Sequence, residues 1–373
     1  MTDGDYGALR AAAALWAGAS VLITDSRGRV LVQRVDYREE HLLPGGGIDR
    51  FESPAAAAGR ELSEELGITM SLQRGLAVDW VPSTSRVPPA MRFPGELILV
   101  YDGGIWDAAR IGEVRLPESE ITGITFAEPA QLPLLMSPAD ARRTLAALRA
   151  RVNGAGTVLL EDGLPLAPTL LDRVNAFTRP RTAHHWPWQT GRPPAGIPVR
   201  QSWGWLFAPD GRVLVLLDPA NGAACLPGGT PEPCDQGNPA ATLVREAFEE
   251  AAAQITAPVL LGHLPDENTG HGPCARVRMA AVLTRVGRSR PDPATGQSYV
   301  RALATPEQVA DLFDWGDAAH DQLTAVHGER ARLGLPRPPR RPITEIPHDG
   351  ILPTDATRTL PSREYGTRSG GSA

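Results

Sequence analysis

The stretch Gly45-Gly46-Gly47-Ile48-Asp49-Arg50-Phe51-Glu52-Ser53-Pro54-Ala55-Ala56-Ala57-Ala58-Gly59-Arg60-Glu61-Leu62-Ser63-Glu64-Glu65-Leu66-Gly67-Ile68 decides how this chain is read. It is a glycine turn leading into a helix. Ser53 supplies a capping side chain, and Pro54 takes the first helical position, where its missing N–H is harmless. On that helix Glu61 lies three residues before Glu64 and four before Glu65, so the three carboxylates share one face. Like charges at that spacing repel, so the face asks for a cation, and hard oxygen donors select Mg²⁺ or Mn²⁺. Leu62 and Leu66, with the Ala55–Ala58 run, lie on the other side and are expected to pack on a sheet. The Gly45–Gly47 turn lets backbone approach closely, which makes a carbonyl there a further candidate ligand.

Working outward, the same elements recur. Gly28-Arg29-Val30-Leu31-Val32 returns as Gly211-Arg212-Val213-Leu214-Val215, and Leu43-Pro44-Gly45-Gly46 returns as Leu226-Pro227-Gly228-Gly229, both 183 residues on. Arg60-Glu61-x-x-Glu64-Glu65 returns as Arg245-Glu246-x-x-Glu249-Glu250 after 185, so the second copy carries two extra residues before its helix. A spacing this long marks a duplicated domain rather than a solenoid. Each copy predicts a buried strand (Val30–Gln33, Val213–Leu217), the glycine turn, a helix begun by Ser53-Pro54 or Asn238-Pro239, and a second strand (Glu96–Tyr101, Arg276–Val282). An amphipathic helix is expected at Ala139–Arg151, and another at Pro306–Leu312 running towards Ala318–Arg332. The expected division is 1–160 first domain, 161–199 linker, 200–335 second domain, and 336–373 a Pro/Arg-rich tail without order. Within the linker, His184 and His185 lack a third ligand on a rigid element, and packing by the neighbouring tryptophans is the preferred reading there.

Composition bounds the chemistry. All 37 basic residues among the 373 are arginine, which excludes Schiff-base chemistry and a phosphate-binding loop that needs lysine. A net charge of −6 argues against a protein that coats nucleic acid. Cys225, Cys234 and Cys274 are odd in number and lack CxxC spacing, so a disulfide framework or zinc knuckle is not expected. No membrane span or secretory signal is readable, and a cytoplasmic location is expected. Oligomeric state is not legible.

A Glu-x-x-Glu-Glu triplet alone is ordinarily a solvated helix face. Here Gly46, Glu52, Arg60-Glu61-Leu62-x-Glu64-Glu65-x-Gly67-Ile68 resembles the complete signature of the Nudix hydrolases, with every defined position matched. The resemblance implies an α/β fold, two Nudix-like α/β/α sandwich domains each with a mixed β-sheet flanked by helices. It also implies metal-dependent hydrolysis of a diphosphate linkage in a nucleoside diphosphate derivative, by water attacking phosphorus. On that likeness Glu61, Glu64 and Glu65 are metal ligands, Glu52 supports the metal, Arg60 orients a carboxylate, and Gly46 and Gly47 line the site. The general base is left open among Glu61, Glu64, Glu65, Glu96 and Glu120. Glu246, Glu249 and Glu250 are the metal ligands expected of the second copy.

The second copy departs from the pattern. Ala252 stands where the first has Gly67, which costs little unless the turn demands positive φ. The counterpart of Glu52 is either Glu232 or Asp235, and no acidic counterpart of Glu120 is evident between Asp292 and Arg301. The competing reading is a nucleotide-binding regulatory protein in which the second domain, or both, binds without hydrolysis. An isomerase of the same fold is disfavoured by the intact acidic helix. Tyr37, Trp80, Trp106, Trp203 and Trp205 are candidate base-stacking residues, though core packing is the commoner role. The expected partner is a small nucleotide derivative, with no membrane and no clear nucleic-acid partner.

Overall fold

The computed structural model describes residues 15–83, 95–117, 120–180, 187–267, 272–313 and 318–350. His184, His185, Glu118 and the segment 351–373 lie outside them.

The first half builds one sheet from β1 (Trp16–Asp25), β2 (Val30–Val35), β3 (Gly45–Gly47), β4 (Gly75–Pro82), β5 (Gly95–Trp106), β6 (Ile121–Ala127), β7 (Val158–Glu161) and β8 (Leu164–Pro165). Its order is β6-β2-β1-β5-β4-β7-β8, with β3 added beside β1. The sheet is mixed, because β1 runs parallel to β5 while its pairings with β2 and β3 are antiparallel. Strand alternation sends Ala19, Val21, Ile23 and Leu31 to one face, where they meet Ala57, Ala58, Leu62 and Leu66 of helix α1 (Pro54–Leu66). Leu62 and Leu66 are fully buried, each stabilising the fold by roughly 1.5–3 kcal/mol. The opposite face, with Leu22, Val30, Val32 and Val100, packs on Ala141, Leu145 and Leu148 of α2 (Pro138–Asn153).

The second half repeats this plan. Its strands are β9 (Gln189–Thr190), β10 (Val199–Phe207), β11 (Val213–Leu217), β12 (Ala224–Cys225), β13 (Gly228–Gly229), β14 (Ala253–Ile255), β15 (Val259–Asp266), β16 (Cys274–Val286), β17 (Val300–Ala304) and β18 (Thr344–Glu345). The order β18-β17-β11-β10-β16-β15-β9 carries β13 beside β10, and β10 runs parallel to β16. Register agrees as well as order: Ala19 faces Gly46 across β1 and β3, and Ser202 faces Gly229 across β10 and β13. Helix α3 (Pro239–Ala251) buries Leu243, Ala247 and Ala251 on one face. The other face is sealed by Val309 of α4 (Pro306–Leu312) and Val326 of α5 (Ala318–Arg332), over Trp205, Phe207 and Val215.

Three expectations are corrected. The segment 336–350 is folded: β18 pairs with β17, Ile346 N–H donates to Arg301 O at 2.7 Å, and Arg340 pairs with Asp311. Much of the supposed linker is structural too, since β7 and β8 form a hairpin across residue 160 and Leu171, Val174 and Phe177 enter the core. Helix α2 is not amphipathic, because that same core takes in Leu217 and Leu312 from the second half and leaves α2 buried on both sides. The Gln308 amide nitrogen, from α4, donates to the carbonyls of Val152 and Asn153 at the end of α2 at 3.1 and 3.0 Å. Among the described residues no helix is long and apolar enough to cross a membrane.

Candidate active site

The site of the first half forms where α1 crosses the β3 turn. Ser53 caps α1 by accepting from Ala56 N at 3.2 Å, an interaction worth about 1 kcal/mol. Gly67 ends the helix in the left-handed region at φ 67°. Between these ends Arg60 is the organiser. Its Nε and Nη2 grip Glu52 at 3.0 Å each, its Nη1 reaches Glu61 at 2.9 Å and Glu64 at 3.0 Å, and its Nη2 donates to Gly47 O at 3.0 Å. A planar fork with five donors suits this, where an ammonium would not. Glu65 turns the other way, accepting from Gly45 N at 2.8 Å and from Gln33 Nε2 at 2.5 Å. A Cβ on Gly46 would stand 2.5 Å from the Glu61 carboxylate, so glycine here is a steric requirement of the site.

Electrostatics follow the burial. Burial pushes Glu61 above the ordinary carboxylate range, Arg60 opposes that, and the charges of Glu64 and Glu52 add to it. Glu65 is pushed up to about 8 by burial, against hydrogen bonds from Gly45 and Gln33, with Glu61 and Glu120 as repelling neighbours. Glu52 is held low by Arg60. Glu120, at φ 68°, is exposed and acts on Glu65 through its charge. Glu96 borders the turn: a Cβ on Gly18 would meet Gly46 O at 3.3 Å and the Glu96 carboxylate at 3.7 Å.

A divalent metal fits the chemistry of this donor set, which offers buried carboxylates crowded by like charge beside a backbone carbonyl. The side-chain oxygen of Gln33, buried next to Glu65, also lacks a hydrogen-bond partner. As placed, however, the carboxylates are held by Arg60 and Gly45 and are not converged: among the described residues no three His, Cys, Asp or Glu groups are gathered as for a metal ion.

The second half reproduces the arrangement with named differences. Arg245 bonds Glu249 at 2.8 Å and lies 3.1 Å from Glu246, and Gly228 N donates to Glu250 at 2.9 Å. The open choice at the Glu52 position resolves to Asp235, which takes Nε and Nη2 of Arg245 at 3.3 and 3.1 Å and also accepts from Thr242. Glu232 reaches Arg245 only at 3.4 Å. The charge of Asp292 bears on Glu250 and Glu246, as that of Glu120 bears on Glu65, but Asp292 is buried where Glu120 is exposed. Asp292 also accepts from Ala294 N and Thr295 N, which shapes its loop. Glu250 is pushed up to about 8, as Glu65 is, but Leu216 stands where Gln33 would. Ala252 adopts φ 51°, so the costly case for alanine applies.

Of the candidate stacking residues, Trp106 and Trp205 are buried core, and Trp106 donates to Gly103 O. Trp203 is half-buried, while Tyr37 and Trp80 are exposed. The missed contributor is Gln33, whose only signal was a polar residue at a buried position of an otherwise apolar strand.

The NUDIX domain family matches residues 14–148. The chain is 38% identical over 65 residues to an RNA pyrophosphohydrolase of Rhodospirillum rubrum, covering 17% of this chain and 39% of that protein's length. It is 28% identical over 153 residues to a putative 8-oxo-dGTP diphosphatase of Bacillus subtilis, covering 41% and 92%. Among solved structures, the MutT protein of Methanosarcina mazei Go1 is similar at 22% identity and a TM-score of 0.29, over 37% of this chain and 93% of that one. The family match supports a Nudix domain over residues 14–148.

Proposed function

We propose that the first domain hydrolyses a diphosphate linkage in a nucleoside diphosphate derivative with divalent metal held by Glu61, Glu64 and Glu65, and that the second half is a domain of the same kind. The NUDIX match and the two relatives support an enzyme of the Nudix pyrophosphohydrolase type. The observation that carries the reading is Arg60, which gathers Glu52, Glu61, Glu64 and the Gly47 carbonyl at 2.9–3.0 Å around one turn.

When bound, Mg²⁺ or Mn²⁺ would neutralise the diphosphate oxygens and lower the pKa of a water. The chain's own groups do the rest. Arg60 holds Glu52 ionised and keeps both Glu52 and Glu61 in place, and Glu65 anchors the glycine turn through Gly45 N. Glu64, the most exposed of the set at 60%, is free to reach solvent on its outer side. Glu120 and Glu96, which border this face, are candidate bases for a water proton. Shared strand order, register and the Arg245 cluster support a duplicated site with Glu246, Glu249 and Glu250 in the ligand roles. The domains then run from residue 15 to about 180 and from about 187 to 350, sharing an apolar joint.

The test is Mg²⁺-dependent release of nucleoside monophosphate from a panel of nucleoside diphosphate derivatives by Glu64→Gln, Glu249→Gln and the double variant. Loss in Glu64→Gln of about 10²–10⁴-fold is expected. Full activity in all three would sink the proposal.

A further inference from the structure

A pocket of about 430 Å³ opens at the C-terminal end of α3, away from the carboxylate face of that helix. Arg285, Arg288 and Arg290 line it, with Gln254 and the ring of Phe248. All three arginines are exposed, and among the described residues none of them forms an ion pair. The Arg290 head group lies over the Phe248 ring, at 4.3 Å. Three uncompensated guanidinium groups around one concavity repel each other, in a chain whose net charge is −6. The negative end of the α3 dipole lies close by, but Arg301 already takes the Ala251 carbonyl there at 2.9 Å.

The loop that carries two of these arginines is tied down in advance. Arg301 donates to Gly287 O at 2.7 Å and to Pro347 O at 2.8 Å, and Ser289 N donates to His348 O at 2.7 Å. Arg285 sits opposite Gln254 in the pairing of β16 with β14. A ligand therefore meets a backbone that is already ordered, which leaves only the arginine side chains to order on binding. The corresponding helix end of the first half is covered. There Arg115 N donates to Leu66 O at 2.9 Å and the Arg115 side chain packs against Gly67, while Ser63 stands where α3 has Phe248.

We propose that this pocket binds a nucleoside polyphosphate at a site separate from the acidic helices. Arginine forks match phosphate oxygens two at a time, and three of them call for more than one phosphate. The volume falls in the range of small-molecule sites, and the Phe248–Arg290 pair offers a flat surface for a base. The terminal segment 351–373 is a poorer occupant, since its three arginines outnumber its two acids.

The test is calorimetric titration of the full chain with ATP and with tripolyphosphate in EDTA. Without metal the acidic helices repel phosphate, so the result is independent of whether the hydrolase reading holds. Both probes are expected to bind with Kd below about 1 mM. Arg285→Ala/Arg288→Ala should weaken both by roughly tenfold or more, and Arg288→Lys should lose less than Arg288→Ala. Phe248→Ala should weaken ATP but not tripolyphosphate. Unchanged melting temperatures would establish that each variant is folded, and the conservative Arg288→Lys carries the comparison if the double variant is not. Absence of saturable binding, or binding indifferent to the arginines, overturns the site. Equal effects of Phe248→Ala on both probes overturn its assignment to a nucleoside.

Discussion

Helix α1 ends on Gly67 and helix α3 on Ala252, yet both residues take the left-handed conformation, at φ 67° and 51°. The geometry of the turn is imposed by its surroundings, and the second half tolerates a residue that pays about 1–2 kcal/mol to adopt it. The same lesson runs through the two sites. Arg60 and Arg245 do the same work, holding a carboxylate from the preceding loop and two from their own helix, although one loop presents Glu52 and the other Asp235. What differs is what surrounds them: a polar Gln33 against an apolar Leu216, and a closed helix end against an arginine-lined pocket.

The largest expected effect breaks the comparison at the sheet. Asp79 is fully buried and pairs with Arg143 at 2.7 Å while accepting from Gly163 N, whereas the matching place in the second sheet is Leu264. Asp79→Ala leaves the buried Arg143 with Asp140 as its remaining carboxylate and takes the acceptor from Gly163 N, and should cost about 3 kcal/mol in denaturant unfolding. Asp79→Leu with Arg143→Leu should cost far less; equal costs would show that the pair matters only as packing.

Arg60→Ala should lower hydrolysis by about 10–100-fold, as removal of a group that orients metal ligands does. Arg245→Ala should leave first-domain turnover within a few-fold, and a kinetic comparison of the two variants shows whether the halves act separately. Smaller again, Gly67→Ala should destabilise by about 1–2 kcal/mol, since a Cβ there would sit 3.1 Å from the Arg115 side chain. Ala252→Gly should stabilise by up to about 1 kcal/mol. Opposite signs in thermal unfolding are the outcome to look for.

The smallest effect concerns how the far faces are sealed. His327 of α5 is held below its ordinary pKa by burial and by Arg337 and Arg330, against the pull of Glu307 at 3.3 Å. The folded state therefore favours neutral imidazole. Its stability should be complete above about pH 6.5 and decline as pH falls through the lowered folded value. Hydrogen-exchange protection factors in β10 should fall on acidification before those in β1 do, and His327→Gln should remove the difference.

Much of this was legible in sequence, and the failures have physical causes. The acidic helices and their caps were readable because Ser53-Pro54 and Asn238-Pro239 are local signals, and the strands because apolar runs such as Val213–Leu217 announce burial. Residues 336–350 read as a tail because their order comes from distant partners: Arg301 from β17, Asp311 from α4 and Asp210 beside β11. Arg143 and Arg151 made α2 look half-solvated, yet their charges are met by Asp79 and Asp102 in the sheet. Gln33 was invisible because its role depends on a carboxylate 32 residues away.

The claim that both acidic helices hold divalent metal is tested most directly by counting Mn²⁺ bound to the full chain by electron paramagnetic resonance, in the wild type, Glu64→Gln and Glu249→Gln. The account predicts that each substitution removes the ions of its own helix and spares those of the other. Identical Mn²⁺ binding by all three proteins would contradict it.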